Sequence, residues 1–297
     1  MNNSTLQAVL NGLMSRYMDR VPDVKAVIDA MISVDVISSA AEIENDHIAF
    51  RTMGVPNLGM ASFEKIFLHY GYARRDRYHF SQKKLDAYWY APPSPEFPRI
   101  FVSELRVSDL PVEAQEIIRS YTDSVQSDPV DILDLDDPKI VDSFLHSGLW
   151  RRPTFGDYKA LADISEYAAW VIYNRYYLNH FTISVHNLKD GYNSIEHFNQ
   201  FLERHDFKLN DSGGKIKKSD DGLLLQSSTV ARKVEAEFAD GTKTLIPGSY
   251  VEFAERKVLP GYTGKEGIVP REYRREGFEA ANADKIFEST YKSQTER

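Results

Sequence analysis

The chain contains no cysteine. That one absence removes disulfides, thiolate-bound zinc, iron–sulfur clusters and thiol catalysis, so any metal must sit on His, Asp or Glu. It also has no run of about 18 apolar residues, the length a membrane-spanning helix requires. Its first residues, MNNSTLQAVL, lack the basic start and apolar stretch of a secretory signal. The expectation is a cytoplasmic protein that makes no membrane contact. Positive charge is in deficit, with 36 Lys plus Arg against 44 Asp plus Glu and a net charge of −8. That balance argues against a partner bound by neutralising phosphates, so no nucleic acid is expected. Nucleophile elbow, HExxH and dinucleotide fingerprint are all missing.

What is present describes a packed protein. Of 297 residues 42% are hydrophobic and 12% aromatic, while Gly and Pro number only 16 and 13, a composition of globular rather than disordered chains. The length suits one large core or two fused units, at roughly 100 to 200 residues per domain. Apolar residues at helical spacing (Leu6, Val9, Leu10, Leu13, Met14, then Val24, Val27, Ile28, Met31 after Pro22) predict a helical cap over residues 1–40. At NDHIAFRT the period changes to two. Ile48, Phe50 and Thr52 then share one face of a strand, and His47, Ala49 and Arg51 the other.

A helix at ASFEKIFLHY and strands at LDAYWY and RIFVSEL follow, giving a first βαβββ unit over 41–105. Residues 106–178 read as a helical insertion, a lid or wall over the strands. The order then recurs over 179–256: a strand at NHFTISV, a helix from Ser194, and strands near LLLQSST, ARKVEAEF and GSYVEFAER. Each unit opens on Asn and His and closes on a strand bearing a glutamate, Glu104 in the first and Glu252 in the second. The pattern is an internal repeat. Two βαβββ units predict an α+β fold whose largely antiparallel sheet cups into a half-barrel. A tail over 257–297 carries a Gly and Pro-punctuated stretch (LPGYTGKEGIVP), a basic stretch (REYRRE) and a short helix or turn (ADKIFESTY). The whole is read as one compact unit.

The repeat brings His47, His180 and Glu252 to equivalent ends of the cup. Two imidazoles and one carboxylate leave open positions on an octahedral metal for a substrate and O2. Taken singly, each histidine on a strand is more often structural or exposed than a ligand. Arg51 shares the His47 face about 13 Å further along, at roughly 3.3 Å per residue, and is either a clamp for a substrate carboxylate or a rim arginine. Glu104, as the mate of Glu252, is a candidate fourth ligand or a remnant of duplication. His186 and His197 are expected to be exposed, His69, His79 and His146 structural, and Ser212 to Lys215 a hairpin turn.

At these residues the chain resembles a known family. NDHIAFRT, LDAYWYAPP with RIFVSEL, SEYAAW, NHFTISV, FKLNDSGGKIK, LLLQSST, VEAEFADGT, IPGSYVEFAER and ADKIFEST together resemble the 2-oxoadipate dioxygenase/decarboxylase family, over about residues 40 to 290. The resemblance implies a vicinal-oxygen-chelate-like fold and Fe(II). It also implies conversion of 2-oxoadipate and O2 to 2-hydroxyglutarate and CO2 in lysine breakdown. By the same resemblance His47, His180 and Glu252 hold the metal, and His47, Arg51 and the backbone near Ala281 and Asn282 border the substrate. Two other readings stand beside it. One is a lyase, isomerase or hydrolase using Zn2+ or Ni2+ with Glu104 as fourth ligand; the other is a non-catalytic module that sequesters a small molecule. Metal content and oxygen uptake separate these three. Sequence leaves the oligomeric state open.

Overall fold

The computed structural model describes residues 3–264 and 269–297. Residues 265–268, within the Gly and Pro-punctuated stretch, and the first two residues of the N-terminal cap lie outside the described part. Two helices come first, α1 (Asn3–Arg20) and α2 (Pro22–Ser33). Their buried sides carry Leu6, Val9, Leu10, Leu13, Val24, Val27 and Met31, the stripe that helical spacing requires. Then follow β1 (Asn45–Met53), α3 (Met60–His69), β2 (Ala73–Phe80), β3 (Leu85–Ala91) and β4 (Arg99–Leu105). Helices α4 (Val112–Thr122), α5 (Pro138–His146), α6 (Phe155–Ile164) and α7 (Glu166–Asn174) form the insertion. Side chains cap three of them: Asp137 accepts from Lys139 N, Thr154 from Asp157 N and Ser165 from Ala168 N. The second unit holds β5 (His180–Ser184), α8 (Ile195–Arg204), β6 (Lys217–Lys218), β7 (Leu224–Ser228), β8 (Lys233–Glu237), β9 (Lys243–Pro247) and β10 (Tyr250–Arg256). The chain closes through α9 (Ala280–Ile286), a 3-10 turn, Phe287–Thr290, and the short α10 (Lys292–Thr295).

Eight strands form one sheet in the order β2-β3-β4-β1-β5-β10-β7-β6. At its centre β1 and β5 run antiparallel, with His47 opposite Thr182 and Ala49 opposite His180. Each of the two has a parallel outer neighbour, β4 beside β1 and β10 beside β5. The halves are thus related by a pseudo-two-fold between the histidine strands, and the architecture is the expected α+β cup. One apolar cluster packs α1, α2, α3 and α8 against Ile48, Phe50, Val102, Phe181, Val251 and Phe253. A second fills the opposite face, where Ala49, Phe101, Leu105, Trp150, Tyr167 and Trp170 meet Phe278 and Phe287 from the C-terminal segment. Helices α4, α6 and α7 of the insertion and the C-terminal segment therefore wall and roof the concave side, while α5 packs against α1 on the other. Among the described residues no helix is long and apolar enough to cross a membrane.

Register corrects two expectations. ARKVEAEF is a strand, but β8 pairs only with β9 in a separate two-stranded sheet. The cup strand in its place is the two-residue β6, paired to β7. The second correction concerns the glutamates. Beside His47 on β4 stands Arg99, and beside His180 on β10 stands Tyr250. Two residues further on come Phe101 and Glu252, and three beyond those Glu104 and Glu255. Glu104 is therefore the mate of Glu255, on the opposite face from the histidines. Both do the same work: Glu104 accepts from Met60 N at 2.6 Å and Glu255 from Ile195 N at 2.9 Å, each at the first residue of its unit's helix. A carboxylate there meets unpaired N–H groups and the positive end of the helix dipole. Gly59, at φ +82, leaves the room, since a Cβ would lie 2.2 Å from Glu104 Oε2. Glu104→Gln and Glu255→Gln are each expected to lose about 1 kcal/mol of stability and to keep the metal stoichiometry of the parent, measured by thermal unfolding and metal analysis. Loss of metal from Glu104→Gln would restore it as a ligand.

Candidate metal centre

His47 and His180 come from the two central strands and Glu252 from β10, and all three are buried. His47 Nε2 lies 3.3 Å from His180 Nε2 and 3.5 Å from Glu252 Oε1, while His180 Nε2 lies 3.1 Å from Glu252 Oε2. Donors about 2.1 Å from one ion and at right angles to each other stand about 3.0 Å apart, so the spacing fits three adjacent corners of an octahedron.

The protons argue the same way. His47 Nδ1 is 2.8 Å from Asp46 Oδ1, and His180 Nδ1 is 3.1 Å from Asn179 Oδ1. Both partners are acceptors, so both Nδ1 atoms carry hydrogen and both Nε2 lone pairs face inward. Glu252 Oε2 is buried with no hydrogen-bond partner. Three electron-rich groups thus converge, an arrangement that a divalent cation relieves. Burial, with His47 and Arg51 nearby, pushes the His180 imidazole well below its usual range and keeps it a neutral ligand. Burial opposes charge on His47 too, but the Glu252 and Asp46 carboxylates outweigh it and raise its pKa. The same negative field draws a metal ion.

Supporting residues hold these ligands in place, as metal-binding side chains require. Gln226 on β7 donates through Nε2 to Glu252 Oε1 at 2.6 Å, and its Oε1 accepts from Asn282 Nδ2 at 3.0 Å. Asp46, fully buried, also accepts from Arg256 Nε at 2.6 Å and Nη2 at 3.0 Å and from Arg99 Nη1 at 3.3 Å. Its carboxyl sits well below the usual range: burial acts against the charge, and Arg256, Arg99 and His47 overcome it. Thr182 Oγ1 lies 3.1 Å from His47 Nε2. Phe278 meets the His47 ring edge-on at 4.8 Å, and with Phe101, Ala283, Ile286 and Phe287 it closes an apolar roof over a cavity of about 20 Å³. Asp46, Gln226, Thr182, Phe278 and Arg256 were not among the residues singled out by sequence, although Asp46 adjoins His47 and Gln226 lies in LLLQSST.

Arg51 is buried beside this cluster rather than at a rim. Nη1 donates to Thr290 Oγ1 at 2.9 Å and Nη2 to Phe287 O at 3.0 Å, while Nε is buried without a partner. Its guanidinium faces the rings of Tyr167 and Trp170 at 5.2 Å each and Phe287 at 5.8 Å. Among the described residues no carboxylate pairs with it. Ala281 is exposed, so its side chain is not part of the cavity wall, and Asn282 is buried against Gln226. In this helix Ala283 and Ile286 line the cavity beside His47, His180 and Glu252 instead. His197 is exposed as expected. His186, expected to be exposed, is largely covered because its Nδ1 accepts from Arg256 N at 3.2 Å.

The chain is similar to known proteins in sequence and fold. The family model for 2-oxoadipate dioxygenase/decarboxylase matches residues 9–268. A chloroplastic 2-oxoadipate dioxygenase/decarboxylase of Arabidopsis thaliana is 42% identical over 306 aligned positions, covering 99% of this chain and 80% of the relative. The crystal structure of the hydroxyglutarate synthase from Oryza sativa in complex with 2-oxoadipate superposes with a TM-score of 0.89 at 40% identity, covering 99% of this chain and 94% of that one. A protein from Ralstonia eutropha described as belonging to the glyoxalase superfamily shares the fold, at a TM-score of 0.72 and 21% identity over 93% of this chain and 86% of its own.

Proposed function

The chain belongs to the 2-oxoadipate dioxygenase/decarboxylase family, and from that premise we propose that it is an Fe(II)-dependent enzyme that converts 2-oxoadipate and O2 to 2-hydroxyglutarate and CO2, a step of lysine breakdown. The observation that carries this reading is the buried convergence of His47 Nε2, His180 Nε2 and the Glu252 carboxylate, whose Oε2 has no hydrogen-bond donor. These three would hold the metal, which when bound supplies coordination for the 2-oxo acid and activation of O2.

The remaining work falls to the protein. Asp46 and Asn179 hold the Nδ1 protons, so both histidines present lone pairs rather than N–H groups. Gln226 fixes the Glu252 carboxylate. Arg51 binds a substrate carboxylate: it is a buried guanidinium with no acid of its own, and its planar donors match a carboxylate in two places. The rings around it exclude water, which strengthens that pairing. Phe278, Phe101 and Ile286 keep water from the reacting end. A cavity of about 20 Å³ holds little more than one water, so entry of a six-carbon acid requires the roof formed by α9 and Phe287 to shift.

Anaerobic loading with Fe(II), admission of air and mass spectrometry across a panel of 2-oxo acids tests the assignment. The expected result is 2-hydroxyglutarate from 2-oxoadipate with matching oxygen uptake. Turnover with Zn2+ or Ni2+ and no oxygen uptake would replace it by a lyase, isomerase or hydrolase. Binding of 2-oxoadipate without turnover would leave a sequestering module.

A further inference from the structure

A chain of side-chain hydrogen bonds joins the roof of the metal pocket to one of its ligands. Glu252 on β10 and Gln226 on β7 share a face of the sheet, because Glu252 pairs with Ser228, two residues along β7 from Gln226. Gln226 Nε2 donates to Glu252 Oε1 at 2.6 Å, and on its far side stands Asn282 of α9. Asn282 Nδ2 lies 3.0 Å from Gln226 Oε1, 3.4 Å from Lys217 O and 3.5 Å from Leu224 O. Backbone carbonyls only accept, so the Asn282 atom among these oxygens is its nitrogen. That fixes the next amide: Gln226 turns its oxygen to Asn282 and its nitrogen to Glu252. All three side chains are buried, so solvent offers no substitute for a lost partner.

Helix α9 is also the part of the roof that must move. Ala283 and Ile286 line the cavity of about 20 Å³ beside His47, His180 and Glu252, and both belong to the same short helix as Asn282. Residues four apart share a helix face, so α9 cannot carry Ile286 off the cavity and leave Asn282 on Gln226. Admitting a six-carbon acid therefore parts Asn282 from Gln226 and frees the Gln226 amide to rotate. Half a turn would set its oxygen against the Glu252 carboxylate, acceptor against acceptor. Other ties of this segment touch no ligand: Asn210 Nδ2 donates to Lys285 O at 3.0 Å, and Lys83 Nζ reaches Asp284 at 3.1 Å and Glu288 at 2.9 Å.

We infer that Asn282 is a positioning residue that couples closure of the roof to Glu252 through Gln226. With α9 in place, Gln226 holds the carboxylate where it would bind the metal; with α9 lifted, that hold is lost. Couplings between binding equilibria are reciprocal, so metal favours the closed roof by the factor with which the closed roof favours metal. The inference rests on the metal reading above and is independent of which 2-oxo acid is the substrate.

Hydrogen exchange of the α9 amides, followed by mass spectrometry on the full chain with and without Fe(II) under anaerobic conditions, tests this. Iron stoichiometry and affinity are measured alongside. In the parent, Fe(II) is expected to slow α9 exchange roughly fivefold or more, the lower end of the usual range for coupled sites. In Asn282→Ala the slowing should vanish, and iron affinity should fall by a similar factor. Gln226→Met, which keeps the length of the side chain, should behave alike and serves if Asn282→Ala fails to fold. Lys83→Gln is the control: it loosens the same segment without touching the three-residue chain, so exchange should rise equally with and without iron and keep the parent's ratio. A merely structural role for Asn282 would also raise both rates and keep that ratio. Iron-dependent slowing as large as the parent's in Asn282→Ala or Gln226→Met overturns the inference, as does its disappearance in Lys83→Gln. A parent that binds iron with no change at α9 overturns this inference alone, whereas a parent that binds no iron overturns the metal reading with it.

Discussion

His180→Ala is expected to hold no stoichiometric Fe(II) and to lose turnover by roughly 1,000-fold or more, equivalent to about 4 kcal/mol at 1.4 kcal/mol per tenfold. Fe(II) stands low in the divalent affinity series, so two protein donors retain it poorly. The remaining pair, His47 Nε2 and Glu252 Oε1, would also be left 3.5 Å apart with nothing to hold a third corner. His180 is the informative ligand to remove because burial keeps it neutral and ready to coordinate, whereas His47 is tied to the Asp46–Arg256 network, whose loss would confuse metal binding with folding. The cost to the fold is separable. His180 stacks on Tyr250 at 4.8 Å between ring centres, so a drop in melting temperature is expected beside the metal loss. Metal analysis after gel filtration and oxygen-electrode assays check it. Full iron content in a folded His180→Ala protein would remove this residue from the centre.

The histidine strands were legible because they obey a local rule. In NDHIAFRT and NHFTISV the side chains alternate, and the neighbour that orients each imidazole precedes it directly, Asp46 before His47 and Asn179 before His180. What failed required register. Glu252 and Glu255 are three apart in one strand and point to opposite faces, and only the pairing of β10 with β5 decides which of them answers to Glu104. β2 escaped notice because ARRDRYHF is an edge strand, exposed nearly throughout, with no apolar alternation to mark it. ARKVEAEF alternates as a cup strand does, and nothing within it tells that its partner is β9. The Asp46–Arg256 pair joins residues 210 positions apart, beyond the reach of any local pattern. The C-terminal helix was readable as a helix, but its docking over His47, His180 and Glu252, which makes the site a closed pocket, depends on the curvature of the whole sheet.

Arg51→Ala is expected to cut kcat/KM on 2-oxoadipate by about 30-fold to several-thousand-fold, since truncating one partner of a buried charge pair costs about 2 to 5 kcal/mol. The structure strengthens the motive. A guanidinium buried among Tyr167, Trp170 and Phe287, with Nε unpartnered and only a hydroxyl and a carbonyl on its other nitrogens, is poised for an anion it does not yet have. Position suggests which carboxylate it takes. On the proposed reading the C1 carboxylate would bind at a metal held by His47, His180 and Glu252, and Arg51 lies two residues beyond Ala49, the partner of His180, on the same strand face. The distal carboxylate of a six-carbon chain is the one that extends towards it. Arg51→Ala should therefore be crippled on 2-oxoadipate but nearly unaltered on 2-oxohexanoate, where a methyl group replaces that carboxylate. Arg51→Lys should recover little, because an ammonium on a flexible stem cannot present two parallel donors. Steady-state kinetics on both substrates with all three proteins decide the point. An equal loss on the two acids would put Arg51 on C1 instead, and parental activity of Arg51→Ala on 2-oxoadipate would exclude it from substrate binding.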